Sequence, residues 1–196
     1  DMDSLRAAIN PKTRIVATVH ASNAAGTINP VQQIAALAHE VGAYFVVDAV
    51  QSAPHIALDV QAIGCDFLLC SGYKFFGPHI GVLWGKHDLL AGLPVDKVRP
   101  AKDVPPHRWE VGTNSYEAIA ATGAALEYLL WVGREFGAEH ASEFAHLDGE
   151  RLGFKAAMTA ISHYERSLVA HLLAVLARVP GVKVYGITDP ERYDER

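Results

Sequence analysis

Cysteine is scarce in this chain: two residues, Cys65 and Cys70, among 196. That number cannot build the disulfide framework of a small secreted domain, and the N-terminus lacks the basic stretch, apolar run and small-residue cleavage site of a secretory signal. A reducing, cytoplasmic setting is expected. Positive charge is also short, with 17 Lys and Arg against 22 Asp and Glu, a formal net charge of −5, and no basic cluster on any one segment. The electrostatic footprint of a nucleic-acid binder is therefore missing. Long hydrophobic runs are absent too. The uncharged stretch from Ile15 to His39 is interrupted by Asn23, Asn29, Pro30, Gln32 and Gln33, which rules it out as a membrane-spanning helix. No internal repeat or low-complexity tract is visible. What remains is a chain that is half apolar and one-fifth charged, long enough to bury roughly 70% of its unfolded surface around a packed core. It opens on Asp1 and stops soon after an expected strand, so both ends read as cuts in a longer protein.

Apolar, β-branched runs alternate with helical patterns, the signature of βαβ units and a mainly parallel sheet. After a helix-like run from Asp3 to Ile9, strands are expected at Arg14–His20, Tyr44–Asp48 and Asp66–Cys70. The second is nearly all hydrophobic, as a strand buried on both faces requires. A helix from Val31 to Val41 starts behind Pro30 and stops at Gly42, and a short one from Asp59 to Ile63 stops at Gly64. A fourth strand, Gly81–Gly85, follows through a connection too short for a parallel crossover, so it should run antiparallel. The segment from Leu93 to Arg108 reads as a long loop. Helical sequence then covers Tyr116–Trp131 and about Glu139–Arg178, with a polar break near Gly133–Gly137 and a weak point at Asp148–Gly149. A last strand is expected at Val182–Tyr185.

In open α/β sheets the ligand sits outside the carboxyl ends of the strands. Those ends carry His20, Ser22 and Asn23 after the first strand, Asp48 and Gln51 after the second, and Ser71 and Lys74 after the third. An acid at the end of one buried strand and a lysine just beyond the next lie about one strand–helix–strand unit apart, so both can converge on one pocket. Packing would put neither charge there.

Four ordered segments, HASNAAGTINP (20–30), VVDAVQSAPH (46–55), SGYKFFGPHIGVLWG (71–85) and WEVGTNSYEAIAATGAALEYL (109–129), resemble the class V, fold-type I pyridoxal phosphate (PLP) enzymes, the cysteine desulfurase and selenocysteine lyase group. The resemblance implies a three-layer α/β fold with a mainly parallel sheet and one antiparallel strand. Residues 1–137 would form part of the large cofactor domain, and 138–196 a long helix and the start of a small C-terminal domain. It implies PLP as cofactor, an amino acid as substrate and a homodimer with a shared active site. Position by position, Lys74 resembles the lysine that forms an imine with PLP, and Asp48 the acid that pairs with the pyridine nitrogen. Gln51 resembles the glutamine bonded to the phenolic oxygen, and Asn23 the asparagine near that oxygen or the substrate carboxylate. Ser71 resembles the phosphate-binding serine, and Thr113 the threonine that reaches the partner's phosphate. The chain departs from the family at Tyr73, where desulfurases usually carry histidine. It also stops before the family's nucleophile and substrate-binding arginine.

Other readings of the same residues compete. Asp48 could be a turn acid, Asn23 and Gln51 could satisfy backbone groups, and Lys74 outside its motif would pass for a surface lysine. His20 reads as a strand-end histidine held by a backbone carbonyl, His79 as a loop residue, and Cys65 and Cys70 as small buried residues. His39–Glu40 starts like a zinc-protease motif, but Ala43 stands where the second histidine would be, so no metal site is expected. A Ser71–His20–Asp48 hydrolase triad would lack the Gly-x-Ser-x-Gly elbow. A truncated or degenerate PLP fold, kept as a non-catalytic dimerisation or regulatory module, is the alternative function.

Overall fold

A computed structural model describes residues 1–196 except Val111, which falls inside the fourth matching segment. Four strands, β1 (Ile15–Val19), β2 (Tyr44–Asp48), β3 (Phe67–Ser71) and β4 (Gly81–Gly85), form one sheet in the order β1-β2-β3-β4. The pairs β1–β2 and β2–β3 are parallel and β3–β4 is antiparallel, as the short connection requires. Register lines up the strand ends: Val19 lies opposite Asp48, Asp48 opposite Leu69, and Ser71 opposite Gly81.

The core lies on one side of the sheet. Val16, Phe45, Val47 and Leu68 point toward Val31, Ile34, Ala35 and Ala38 of α2 (Val31–Glu40), with Met2 and Leu5 of α1 (Met2–Ala8) and Ile63 of α3 (Val60–Ile63) joining them. Alternation along each strand sends the neighbouring side chains to the other face. There Ile15, Val19, Leu69 and Leu83 remain substantially exposed in this chain. Asp59 caps α3 by accepting from the Gln61 and Ala62 amides, and Gly64 ends it in the left-handed conformation at φ 76°.

At the amino ends of β2 and β3 a single carboxylate gathers four elements. Asp66, 5% exposed, accepts from the Phe45 amide at 2.8 Å, from Lys86 Nζ at 2.7 Å and from His39 Nε2 at 2.9 Å. Burial pushes its pKa up, but the Lys86 ammonium, the Phe45 amide and the His39 ring outweigh burial and hold the carboxyl below its ordinary value.

Beyond the sheet, α4 (His87–Gly92) occupies sequence that carried no expected element. Helix α5 (Tyr116–Phe136) runs through Gly133, where a break was expected. The reason is contact: a Cβ on Gly133 would sit 2.3 Å from the Gly153 carbonyl of α6 (Gly149–Leu176), so glycine lets two helix backbones touch. The segment Ala138–Phe144 is a 3-10 turn that links the pair. The expected strand at Val182–Tyr185 does not form. Residues 182–185 join no strand pairing, and Val182 and Tyr185 are 46% and 72% exposed. Among the described residues no helix is long and apolar enough to cross a membrane.

Candidate active site

The carboxyl ends of β2 and β3 carry Asp48, Gln51, Ser71 and Lys74, most of the expected site residues. Asp48 ends β2, and its position is fixed from both sides: its carbonyl accepts from the His20 amide at 2.8 Å, and its Oδ1 accepts from the Val50 amide at 2.9 Å. The chain then turns through Ala49–Ile56, held by bonds from the Ala53 amide to Ala49 O and from the His55 and Ile56 amides to Ser52 O. That turn carries Gln51 on its outer side. The Ser52 hydroxyl donates to Ala49 O at 3.3 Å, so its oxygen accepts from His20 Nδ1 at 3.0 Å. The His20 ring is thus held by the Ser52 side-chain hydroxyl and not by a backbone carbonyl as expected, and burial lowers its pKa.

β3 leads through Ser71 into a tight 3-10 turn, Gly72–Phe75. Only glycine fits at its start: a Cβ on Gly72 would lie 2.7 Å from Ile80 Cγ2 and 2.9 Å from Pro78 O. The turn closes on itself, the Gly72 amide bonding Ile80 O at 2.8 Å and the Gly77 amide bonding Gly72 O at 2.9 Å. Phe76 adopts a positive φ of 69°, a conformation a bulky side chain takes only when its surroundings impose it. Its ring packs edge-on against Tyr128 of α5 at 5.2 Å.

This turn projects Lys74 back over the end of β2. Lys74 Nζ donates to Gln51 Oε1 at 3.4 Å and lies 5.5 Å from the centre of the Tyr73 ring. Tyr73 itself stacks on His79, ring centres 4.8 Å apart at 15°. Among the described residues neither Lys74 nor Asp48 has an ion-pair partner, whereas Lys86, Lys97 and Lys155 each have an acid within 4.0 Å. Lys74 and Asp48, both half-buried, thus stand at the ends of adjacent strands without a charged partner among the described residues.

The expected residues divide. Asp48, Gln51, Ser71 and Lys74 lie at the carboxyl ends of neighbouring strands or in the turns just past them. Asn23 is exposed in the turn that follows β1, where Ser22 Oγ accepts from the Ala24 and Ala25 amides, and no hydrogen bond joins Asn23 to the others. Thr113 is exposed in the loop before α5 and likewise unlinked to them. Sequence reasoning passed over His55 and Glu165, whose side chains meet at 2.8 Å beside Gln51. Their separation of 110 positions leaves no local signal. Cys65 is fully buried as expected while Cys70 is only half-buried, and burial raises the pKa of both thiols.

The mostly parallel sheet, with a lysine turn after β3 and a carboxylate ending β2, defines an α/β protein that carries charged side chains at the carboxyl edge of its strands. The chain belongs to the aminotransferase class-V family, whose model matches residues 1–154. That family depends on pyridoxal phosphate. The chain is 36% identical over 197 residues to a cysteine desulfurase from Synechococcus elongatus, a match covering 94% of this chain and 28% of that protein. The crystal structure of the cysteine desulfurase CsdA from Escherichia coli superposes with a TM-score of 0.71 at 28% identity, covering 97% of this chain and 45% of that one. SspA, solved in complex with cysteine, matches with a TM-score of 0.57 at 26% identity over 75% of this chain and 41% of its own. The chain thus spans less than half the length of these relatives. The lysine, carboxylate, amide and hydroxyl present at the strand ends fit the cofactor in kind.

Proposed function

We propose that the protein to which these residues contribute is a PLP-dependent enzyme acting on an amino acid, with cysteine desulfuration the best supported of the possible reactions. The observation that carries this is Lys74 itself: a half-buried amine without an acid partner, 3.4 Å from the Gln51 carbonyl oxygen, one strand away from the unpaired Asp48. Curated relatives named cysteine desulfurase and a structural neighbour solved with cysteine support the choice of substrate.

Each residue has work in this reading. Lys74 would anchor the cofactor covalently, and its amine would take and return a proton at the substrate Cα. Asp48, fixed at its main chain and at Oδ1, would keep the pyridine nitrogen protonated through opposite charge. Gln51 would donate or accept at the phenolic oxygen, with Asn23 near that oxygen or the substrate carboxylate. Ser71 would bind phosphate, and Thr113 would reach the phosphate of a partner subunit in a homodimer. When bound, PLP supplies an electron sink for bond breaking at Cα. Tyr73 offers one hydroxyl donor where a histidine would offer a titratable ring. Residues 1–137 would belong to the large domain and 138–196 to the long helix and start of a small one. A cytoplasmic setting agrees with two free thiols.

The test is borohydride reduction of the full-length protein with PLP, followed by peptide mass analysis. A mass gain on the peptide holding Lys74, absent in Lys74→Ala, is expected, and no gain on that peptide refutes the reading. A screen of amino acids, reading sulfide, alanine, keto acid and racemised product, then identifies the reaction.

A further inference from the structure

The contact between Lys74 and Gln51 does not end at Gln51. On the far side of the amide, Gln51 Nε2 lies 3.4 Å from His55 Nε2, and His55 Nδ1 lies 2.8 Å from Glu165 Oε2 on α6. Gln51 and His55 share one face of the Ala49–Ile56 turn, four positions apart, so the turn presents both side chains together.

Donor chemistry gives this row one direction. A glutamine Nε2 only donates and its Oε1 only accepts, while a neutral imidazole has one nitrogen of each kind. With the Gln51 oxygen toward the Lys74 amine, its NH2 faces His55, so His55 Nε2 must be the lone-pair nitrogen. The ring proton then sits on Nδ1, where the Glu165 carboxylate accepts it. Reversing the amide would point NH2 at the lysine ammonium, a donor-to-donor contact that no tautomer of His55 can repair. The side chains of His55 and Glu165 are 44% and 38% exposed, on the wall of a cavity of about 450 Å3 that Gln51 also lines. Filling the core is therefore not what keeps them there.

We propose that His55 and Glu165 are positioning residues for the lysine site. The α6 carboxylate selects the His55 tautomer, the tautomer orients the Gln51 amide, and the amide presents its oxygen to Lys74. The role given to Lys74 rests on the function proposed above, but the order of donors is a property of the protein alone, so the two can fail separately.

The experiment has a cofactor-free arm and a cofactor arm, both on the full-length protein. In the first, nitrogen NMR of 15N-histidine-labelled protein without PLP is expected to find His55 protonated on Nδ1, and Glu165→Ala to lose that preference. A wild-type His55 with its proton on Nε2 overturns the proposal. In the second, the visible band of the PLP-loaded protein is titrated with pH. His55→Ala and Glu165→Ala are expected to move its midpoint by about half a pH unit or more, the scale of one hydrogen bond. His55→Gln, which offers an amide oxygen in place of Nε2, should recover most of the shift. In a Gln51→Ala background, His55→Ala should add nothing, because the path runs through the amide. An unmoved midpoint in His55→Ala, or shifts that add, overturns the proposal. A wild-type protein with no visible band refutes the enzyme reading, and the nitrogen shifts still decide the order of donors.

Discussion

Replacing Asp66 with alanine tests how the sheet is tied together below the site. The substitution removes the acceptor of the Phe45 amide in a place where Phe45 is fully buried, and an orphaned buried N–H costs about 1–3 kcal/mol. It also removes a charge-assisted bond to Lys86, worth about 1 kcal/mol because the lysine side chain is 46% exposed and regains water. The His39 bond is weaker still, its ring being 40% exposed. A total near 3 kcal/mol follows, which at about 2–4 °C per kcal/mol lowers Tm by roughly 6–12 °C. Circular dichroism melts of the intact protein at pH 7 measure it. Asp66→Asn keeps an oxygen for Phe45 and should fall between, and Lys86→Ala should cost less than about 1 kcal/mol. Because the folded carboxyl is held below its ordinary value, its contribution is complete above the unfolded pKa of about 3.9 and disappears as pH falls through the lower folded value. An Asp66→Ala melt within about 2 °C of wild type, or a Lys86→Ala loss as large as that of Asp66→Ala, refutes the reasoning.

Three further outcomes are expected. Asp48→Ala should weaken PLP binding and lower turnover by orders of magnitude, and an unchanged rate with the screened amino acid removes Asp48 from its role. Gly72→Ala should cost about 1–3 kcal/mol by overpacking against Ile80 and the Pro78 carbonyl and should displace Lys74; a variant with wild-type melting and full borohydride labelling contradicts that geometry. Cys65, fully buried with its pKa raised by burial, should react slowly with thiol reagents at pH 7 and more slowly than the half-buried Cys70, so rapid labelling of Cys65 at neutral pH would count against its burial.

Strand β2 was legible to the residue because an apolar run ending in a carboxylate can satisfy only a buried strand, and β4 was legible as antiparallel because its connection is short. The strand ends then gave Asp48, Gln51, Ser71 and Lys74. What the letters hid depends on distant partners. Asp66 reads as the opening of a strand until Phe45, His39 and Lys86 converge on it. Gly133 reads as a helix stop until Gly153 lies against it, and Val182–Tyr185 has strand composition without a neighbour to pair with. His55 looks like any loop histidine until α6 brings Glu165 alongside.

The closure of the lysine turn also says where this protein tolerates tinkering. Ser71 pairs with Gly81, and the Gly72 amide bonds Ile80 O, so both ends of the nine-residue span between them are clamped to the same two strands. An inserted residue there has nowhere to bulge without swinging the amine off Gln51, whereas the exposed residues 98–100 and 102–104, ahead of the Arg108 and Trp109 bonds to Leu93 O and Leu90 O, can take an insertion. Variation in length between natural versions of this sequence should collect after Gly92 and spare the span from Gly72 to Ile80.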